Sequence, residues 1–139
     1  MTRKSADAAL QKAIFERLTT AFRGYKTSIG IFDTPPGDRK MPYIVIGENS
    51  GVPYDTKTEL GQDVISTIHV WSEKPSYTEV KEIKAKAIEA ITESEIDLSE
   101  AGFEVQAGSL NIPLDTAFTD IDGKTKHGVI KINLQIQQN

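Results

Sequence analysis

Residues 63–79 read DVISTIHVWSEKPSYTE, and this stretch decides the middle of the fold. Residues 63–72 are mostly β-branched or aromatic, a composition that favours a strand. Pro75 interrupts the strand pattern, and Ser76 with Glu79 three residues later matches the capping box that opens many helices. The stretch therefore predicts a strand, a break and the start of a helix.

The strand at 63–72 carries apolar side chains on both of its faces. Its even positions are Val64, Ser66, Ile68 and Val70, and its odd positions are Ile65, Thr67, His69 and Trp71. A strand with one wet face should alternate more cleanly between apolar and polar residues. We therefore expect both faces to be at least half covered, one by the core and the other by a helix, a second sheet or a neighbouring subunit.

Length and composition predict a single domain over residues 1–139. The chain has 139 residues and no cysteine, which excludes disulfides and cysteine-ligated zinc and fits a reducing cytoplasm. No apolar run approaches the roughly 20 residues that cross a bilayer, and the basic start has no apolar segment behind it. Sixteen basic and twenty acidic residues give a net charge of −4, which argues against a dedicated nucleic-acid binder.

Two segments have helical periodicity, residues 5–22 and 77–93. In each of them apolar side chains recur at the spacing that places them on one stripe of a helix. The apolar positions are Leu10, Ile14, Leu18 and Phe22 in the first segment and Val80, Ile83, Ala87 and Ile91 in the second.

The other regular segments have strand character. They are residues 28–33, 42–47, 63–72, 102–114, 115–121 and 127–137, and the last alternates most clearly between apolar and polar side chains. Asp122-Gly123 predicts a hairpin with a type I′ turn. The order is helix, three strands, helix, three strands, which predicts an α+β fold with two helices packed on a mostly antiparallel sheet.

Residues 48–61 are polar, contain Gly51, Pro53 and Gly61, and lie between two predicted strands. We expect a long loop here, since about fourteen residues exceed the usual connection of roughly four to six. Loops of this length are often functional, and in an assembly protein they often become ordered against a partner.

The residues predict no catalytic, metal-binding or cofactor-binding site. His69 and His127 lie in different predicted strands, and neither has a second ligand at metal-binding spacing. Asp120 and Asp122 resemble a fragment of a calcium loop, but the further oxygen ligands are missing and a hairpin turn explains the same residues. No phosphate-binding glycine loop or nucleophile elbow is present in the sequence.

Six segments resemble, in order and spacing, a family of small phage and prophage tail-completion proteins that also occurs in gene-transfer particles. The segments are ALQKAIFERL, GIFD, PYIVIGE, DTKTELGQDVISTIHVWS, EVKEIKAKAIEAI and DGKTKHGVIKI. The resemblance runs from about Ala8 to Ile132 and is weakest between Glu93 and Leu114.

The resemblance implies a structural role in the virion and no enzymatic activity or cofactor. Members of the family cap the head-proximal end of a long non-contractile tail and join it to the head connector. They are expected to form rings, usually hexamers, that contact the tail tube protein and a head-side connector or stopper while DNA passes through the lumen. Assembly is expected in the bacterial cytoplasm.

Three groups of residues are predicted to contact partners. They are Tyr54, Asp55, Thr56 and Lys57 in the 48–61 loop, His69 and Trp71 on the odd face of the 63–72 strand, and Lys131, Asn133 and Gln135 on the exposed C-terminal strand.

Two alternatives remain open at this point. A nearby alternative is another neck ring protein, such as a head-tail stopper, or a tail tube protein, because position in the particle separates these and the sequence does not. An alternative of a different class is a small ligand-binding or enzymatic α+β domain, in which His69 with Asp63 or Asp55 is the first candidate site.

Overall fold

The computed structural model describes residues 2–38 and 40–139 and confirms the α+β architecture. No helix in that part of the chain has both the length and the apolar character needed to cross a membrane. The elements are α1 (Asp7–Ala21), β1 (Gly30–Phe32), β2 (Tyr43–Asp55), β3 (Leu60–Ser72), α2 (Thr78–Thr92), a short 3-10 turn (Ser99–Ala101), β4 (Phe103–Val105), β5 (Asn111–Thr119) and β6 (Lys126–Gln138).

The strands form one mixed sheet in the order β1-β2-β3-β6, with β4 and β5 sharing the far edge of β6. Only β1 and β2 are parallel, so the predicted mostly antiparallel sheet is confirmed. β3 and β6 pair from Gly61 opposite Gln137 to Ser72 opposite Lys126, and they are the centre of the sheet.

Both helices pack on one face of this sheet and bury the even side chains of β3 and β6. Burial of a large aliphatic side chain contributes about 1.5–3 kcal/mol, so this layer supplies most of the folding free energy. The fully buried residues of the layer include Leu10, Ile14, Leu18, Ile44, Ile46, Ile68, Ile83, Ile91, Ile130, Ile132, Leu134 and Ile136. The alternation predicted for residues 127–137 is therefore confirmed.

Arg17 joins the two helices by capping the end of α2. Its guanidinium donates to the carbonyl oxygens of Ile91 at 2.9 Å, Ser94 at 2.8 Å and Glu95 at 2.7 Å. The last carbonyl groups of a helix have no partner within the helix, and a cation there also complements the helix dipole. One side chain of α1 thus fixes both the end of α2 and its distance from α1.

The capping box predicted from Ser76 and Glu79 is wrong. Tyr77 occupies the N-cap of α2, and no side chain caps the helix there. The Glu79 carboxylate instead accepts a hydrogen bond of 2.6 Å from the Ser72 hydroxyl at the end of β3. The Ser72 hydroxyl is itself buried, so pairing it with Glu79 removes the cost of an unsatisfied polar group.

The long loop predicted at residues 48–61 is also wrong. β2 continues to Asp55 and β3 begins at Leu60, so only a tight turn over residues 56–59 separates them. The register shifts between Ile46 and Asn49 and then continues regularly to the end of the hairpin. Polar residues occupy this arm because much of it is exposed, while its backbone groups are satisfied by the ladder whatever the side chains are.

The β5–β6 hairpin is present, but its turn is not type I′. Gly123 has φ +73°, whereas no described residue other than glycine has a positive φ, so Asp122 does not adopt the conformation that type I′ requires. The segments predicted as strands 102–114 and 115–121 are also divided differently. β4 ends at Val105, Gly108 turns with φ +72°, and β5 starts at Asn111.

The hairpin arm gives a matched pair of glycine substitutions. A Cβ on Gly61 would lie 2.6 Å from the Tyr54 carbonyl oxygen, whereas a Cβ on Gly51 would meet nothing closer than 3.6 Å. We expect Gly61→Ala to reduce the free energy of unfolding by about 1–3 kcal/mol because backbone must move. Gly51→Ala should change it by less than about 0.5 kcal/mol.

Chemical denaturation of both variants measures the difference. A Gly61→Ala variant as stable as Gly51→Ala would contradict the observed register of the arm, since a flexible loop would accommodate either methyl group.

Candidate assembly surface

The face of the sheet opposite the helices, called the outer face, carries a row of rings. Tyr43, Trp71, His127 and Phe118 lie opposite one another on β2, β3, β6 and β5. The Trp71 ring stacks on His127 with centroids 3.7 Å apart, and Phe118 lies 4.9 Å from the same imidazole. Ring pairs of this kind contribute about 0.5–1.5 kcal/mol beyond buried area. Rings of the same chain therefore cover part of the outer face of β3.

His69 and His127 form a hydrogen-bonded chain with Glu48 beside this row. The His69 Nδ1 atom lies 2.8 Å from His127 Nε2, and His69 Nε2 lies 3.3 Å from a Glu48 carboxylate oxygen. Burial and the neighbouring His69 lower the pKa of His127, while the backbone and side-chain hydrogen bonds of Glu48 lower the pKa of that carboxyl. The three side chains of this hydrogen-bonded row follow one another and do not converge on a common point. Residues 2–38 and 40–139 contain no cluster of three ligands suited to a metal ion.

The catalytic pairing considered for His69 with Asp63 or Asp55 is not formed. His69 bonds instead to His127 and Glu48. The Asp55 carboxylate accepts hydrogen bonds from Arg3 at 2.5 Å and from the Gly61 amide at 3.2 Å. These bonds lower the pKa of Asp55 and hold the turn of the arm in place.

The three predicted contact groups all lie along the outer face or at its end, but they do not form one compact site. His69 and Trp71 lie near one end of β3, and residues 54–57 form the far end of the β2–β3 arm. Gly61, which lies opposite Tyr54, is ten residue steps of strand from Trp71, which corresponds to about 33 Å. Lys131, Asn133 and Gln135 lie between them on β6.

One part of that prediction is wrong, because β6 is not an exposed strand. It pairs with β3 along one edge and with β4 and β5 along the other. Only its outer face is accessible, where Gln135 is exposed and Lys131 and Asn133 are half-buried. Any partner of these residues must therefore approach the face of the sheet and not its edge.

Two open strand edges are the features that sequence reasoning missed. Beyond Val45, the last partner of β1, no described strand pairs with the outside edge of β2, which leaves residues 47–55 open. The outside edge of β5 is open over Asn111–Thr119. Large apolar side chains are exposed beside both edges, namely Val52 at 63%, Leu114 at 38% and Phe118 at 42%. The only signal in the sequence was Val52, an apolar residue within a polar segment.

These features define a class of protein, a small α+β domain whose sheet leaves two strand edges and one face open to partners. Unpaired N–H and C=O groups at a sheet edge are a template for pairing with another chain. A sheet that leaves two long edges open and apolar residues beside them is suited to assembly.

Comparison with known proteins identifies the family. Residues 12–137 match the family of tail completion protein gp17, and the chain belongs to that family. It is 34% identical over 139 residues to tail completion protein gp17 of Bacillus phage SPP1, covering 100% of both chains.

Solved structures agree with this assignment. The structure of bacteriophage SPP1 gp17 matches with a TM-score of 0.59 and 30% identity, covering 94% of this chain and 91% of that one. A chain in the virion of a native gene transfer agent particle matches with a TM-score of 0.64 and 18% identity over 97% and 99% of the two chains, which shows a shared fold. The chain is thus a structural tail-completion protein of the virion, associated with other tail and head proteins, and not an enzyme.

The lowered pKa of His127 predicts how stability depends on pH. Its neutral form is favoured in the folded state, so this stabilisation is complete above the unfolded pKa of about 6.5 and is lost as pH falls through the lower folded pKa. We expect the melting temperature to fall between pH 8 and pH 5.5.

His127→Phe retains a ring against Trp71 but does not titrate, so its melting temperature should fall less over the same range. Thermal melts of both proteins at matched ionic strength measure this. Parallel curves for the two proteins would show that His127 does not carry the effect.

Proposed function

We propose that the chain is a tail terminator whose copies form a ring, a hexamer, at the head-proximal end of a long non-contractile tail. The ring ends the growth of the tail tube and presents the surface that joins the tail to the head connector. Its partners are the tail tube protein on one side and a head-side connector or stopper on the other, and it assembles in the bacterial cytoplasm. The observation that supports the ring best is the pair of open edges at opposite sides of one sheet.

The directions of these edges suit a ring. β2, β3, β6 and β5 alternate in direction, so the open edges of β2 and β5 run antiparallel to each other. Rotation about a ring axis gives every copy the same orientation relative to that axis. When the strands run roughly along the axis, β5 of one copy meets β2 of the next as an antiparallel pair. Such an interface is heterologous and closes when the rotation per copy divides a full turn.

One register aligns the two open edges along their whole length. Placing Thr119 beside Gly47 puts Leu114 opposite Val52, and both of these exposed apolar side chains then lie on the outer face. The same register places Pro113 opposite Pro53. Because proline has no backbone N–H group, the two missing donors then interrupt the ladder at one position instead of two. Residues 114–119 and 47–52 form the proline-free part of the pairing.

The charge of the chain is compatible with DNA in the lumen. A net charge of −4 favours a surface that repels phosphate, so DNA would pass without specific binding.

The mass of the assembled particle tests the ring. We expect native mass spectrometry or light scattering to find six copies, and negative-stain images to show a ring with an open centre. A protein that stays monomeric at all concentrations, and also in the presence of tail tubes, would overturn the proposal.

The position of the chain in purified virions separates the terminator from the rival neck rings. Density for the chain between the tube and the head connector supports the terminator. Density between two head connector proteins would support a stopper, and repeats along the tail would support a tube protein.

Disulfide cross-linking tests the proposed register of β2 and β5. The chain has no native cysteine, so only the introduced thiols can form disulfides. We expect the double variant Val52→Cys/Leu114→Cys to form a ladder of covalent oligomers on oxidation. Within one copy these residues are separated by three strand spacings, about 14 Å, which is too far for an intrachain disulfide.

The single variants are the controls. A mixture of Val52→Cys and Leu114→Cys should stop at cross-linked dimers, because each pair of copies forms one bond and then has no thiol left for the next. Absence of a ladder from a double variant that has the mass of a hexamer would reject the register while leaving the ring in place.

A further inference from the structure

Ile121 is the most exposed large apolar side chain in the described part of the protein. It lies at the tip of the β5–β6 turn and is 101% exposed. Neither the core nor the outer face gains anything from it. Folding removes no apolar area of Ile121 from water, so a partner that covers it gains the full free energy of burial, whereas a serine or asparagine would serve the turn as well.

The turn that carries Ile121 is rigid. The Asp122 carboxylate accepts hydrogen bonds of 2.8 Å from the amides of Lys124 and Thr125 and one of 2.5 Å from the Thr125 hydroxyl. These bonds lower the pKa of Asp122 to about 2, so the carboxylate stays charged and the turn stays closed at any physiological pH. A rigid turn loses little conformational entropy when its apolar tip is buried by a partner.

An apolar groove lies on the opposite side of the subunit, where α1 packs beside β1. Its volume is about 470 Å³, and it is lined by Ala8, Phe15, Ile31, Phe32 and Ile46, with Lys12 and Asp33 among the polar lining residues. Phe15 is 42% exposed there.

We propose that the groove of one copy receives the Ile121 turn of the adjacent copy. This inference rests on the proposed ring, in which the β5 side of each copy meets the β2 side of the next. The turn lies at the β5 side and the groove lies at the β2 side. Pairing of these two edges therefore brings the turn of one copy close to the groove of the next.

The register of the edges places the turn beside the groove. β1 ends at Phe32, which lies opposite Val45, and the open edge of β2 begins two residues further on. When Thr119 lies beside Gly47, the chain that leaves β5 continues past the end of β1. Residues 120–124 then meet Phe32 and Asp33, which line the groove.

Charge complementarity supports the same arrangement. Ile121 is followed by Asp122 and Lys124, and the groove presents Lys12 and Asp33. All four charged side chains belong to exposed residues. With the turn in the groove, each charge of the turn has an opposite charge to approach, which favours this docking over one between like surfaces.

Substitution of Ile121 tests the inference without disturbing the fold. Because this side chain contacts solvent, Ile121→Asp should leave the melting temperature of the isolated chain unchanged. We expect it to abolish the hexamer and to leave a monomer at concentrations where the wild type is assembled. Ile121→Leu is the matched control and should assemble.

A mixing experiment identifies the occupant of the groove as a second copy. Ile121→Asp keeps an intact groove, and Phe15→Asp keeps an intact turn. Each variant alone should be monomeric, whereas an equal mixture should form dimers and nothing larger, since only one of the two possible contacts is intact. Light scattering and native mass spectrometry give both results.

The outcomes separate the two proposals. A wild type that forms no ring would overturn the proposed function and this inference with it. A hexamer formed by Ile121→Asp would overturn this inference alone. Monomers that do not pair on mixing would show that the groove does not receive Ile121 and would direct attention to another partner for it.

Charge exchange gives an independent check. Lys124→Glu and Asp33→Lys should each weaken the hexamer by about tenfold or less in dissociation constant, and the double variant should regain part of the loss. A double variant whose loss equals the sum of the two single losses would contradict contact between these two residues across the interface.

Discussion

The pairing of β3 with β6 is the constraint on which the rest of the structure depends. The ladder runs without interruption from Gly61 opposite Gln137 to Ser72 opposite Lys126. Because side chains of a strand alternate strictly between faces, this one register sends the even side chains of both strands, most of them aliphatic, to the helices and the odd side chains to the outer face. A slip by one residue would reverse both faces at once. The core and the proposed assembly surface are therefore specified by the same hydrogen bonds.

The outer face shows why both faces of β3 looked apolar in the sequence. Trp71 is half-buried by a cross-strand neighbour, His127, and not by a second layer. Stacked rings on adjacent strands cover much of each other even where no element lies above them. The expectation that the second face is covered was right, while a helix or a further sheet as the cover was not needed. The row of rings crosses β2, β3, β6 and β5, so it extends over the sheet between its two open edges.

Local pattern predicted the elements of the fold, and non-local pairing decided the rest. The helices and β6 follow from apolar periodicity, and Asp122-Gly123 marked the hairpin because turn chemistry is local. The arm at 48–61 was misassigned because its polarity is also typical of loops, and its strand character depends on pairing with β3. The His69–His127 contact joins residues 58 positions apart, and nothing in the sequence indicates that β6 lies beside β3.

The same reasoning applies to the candidate site. The sequence contains no local catalytic motif, although it left a small enzymatic domain open as an alternative, and the family resemblance favoured a structural role. The contact residues were chosen from a predicted loop and from polar or aromatic positions on predicted strands. Those on β3 and β6 lie on the outer face, but the choice overlooked the edges. An edge is a property of the order of strands in the sheet. The order of the strands is decided by pairing between distant segments, and it determines which edges stay unpaired. No short window of sequence can therefore predict an open edge.

Open strand edges normally allow uncontrolled pairing with other chains. In this sheet the two edges stay open, but the sequence limits how they can pair. Pro53 and Pro113 each remove a donor, and register shifts near Ile46 and Leu114 bend both strands locally. What remains on each edge is a short proline-free stretch, which is too little for indiscriminate aggregation. Such an edge is selective only when a second contact fixes the register. The Ile121 turn, placed at the end of β5 and beyond the reach of its own core, is suited to supply that contact, so that pairing is stable in the one register where the apolar tip is also buried.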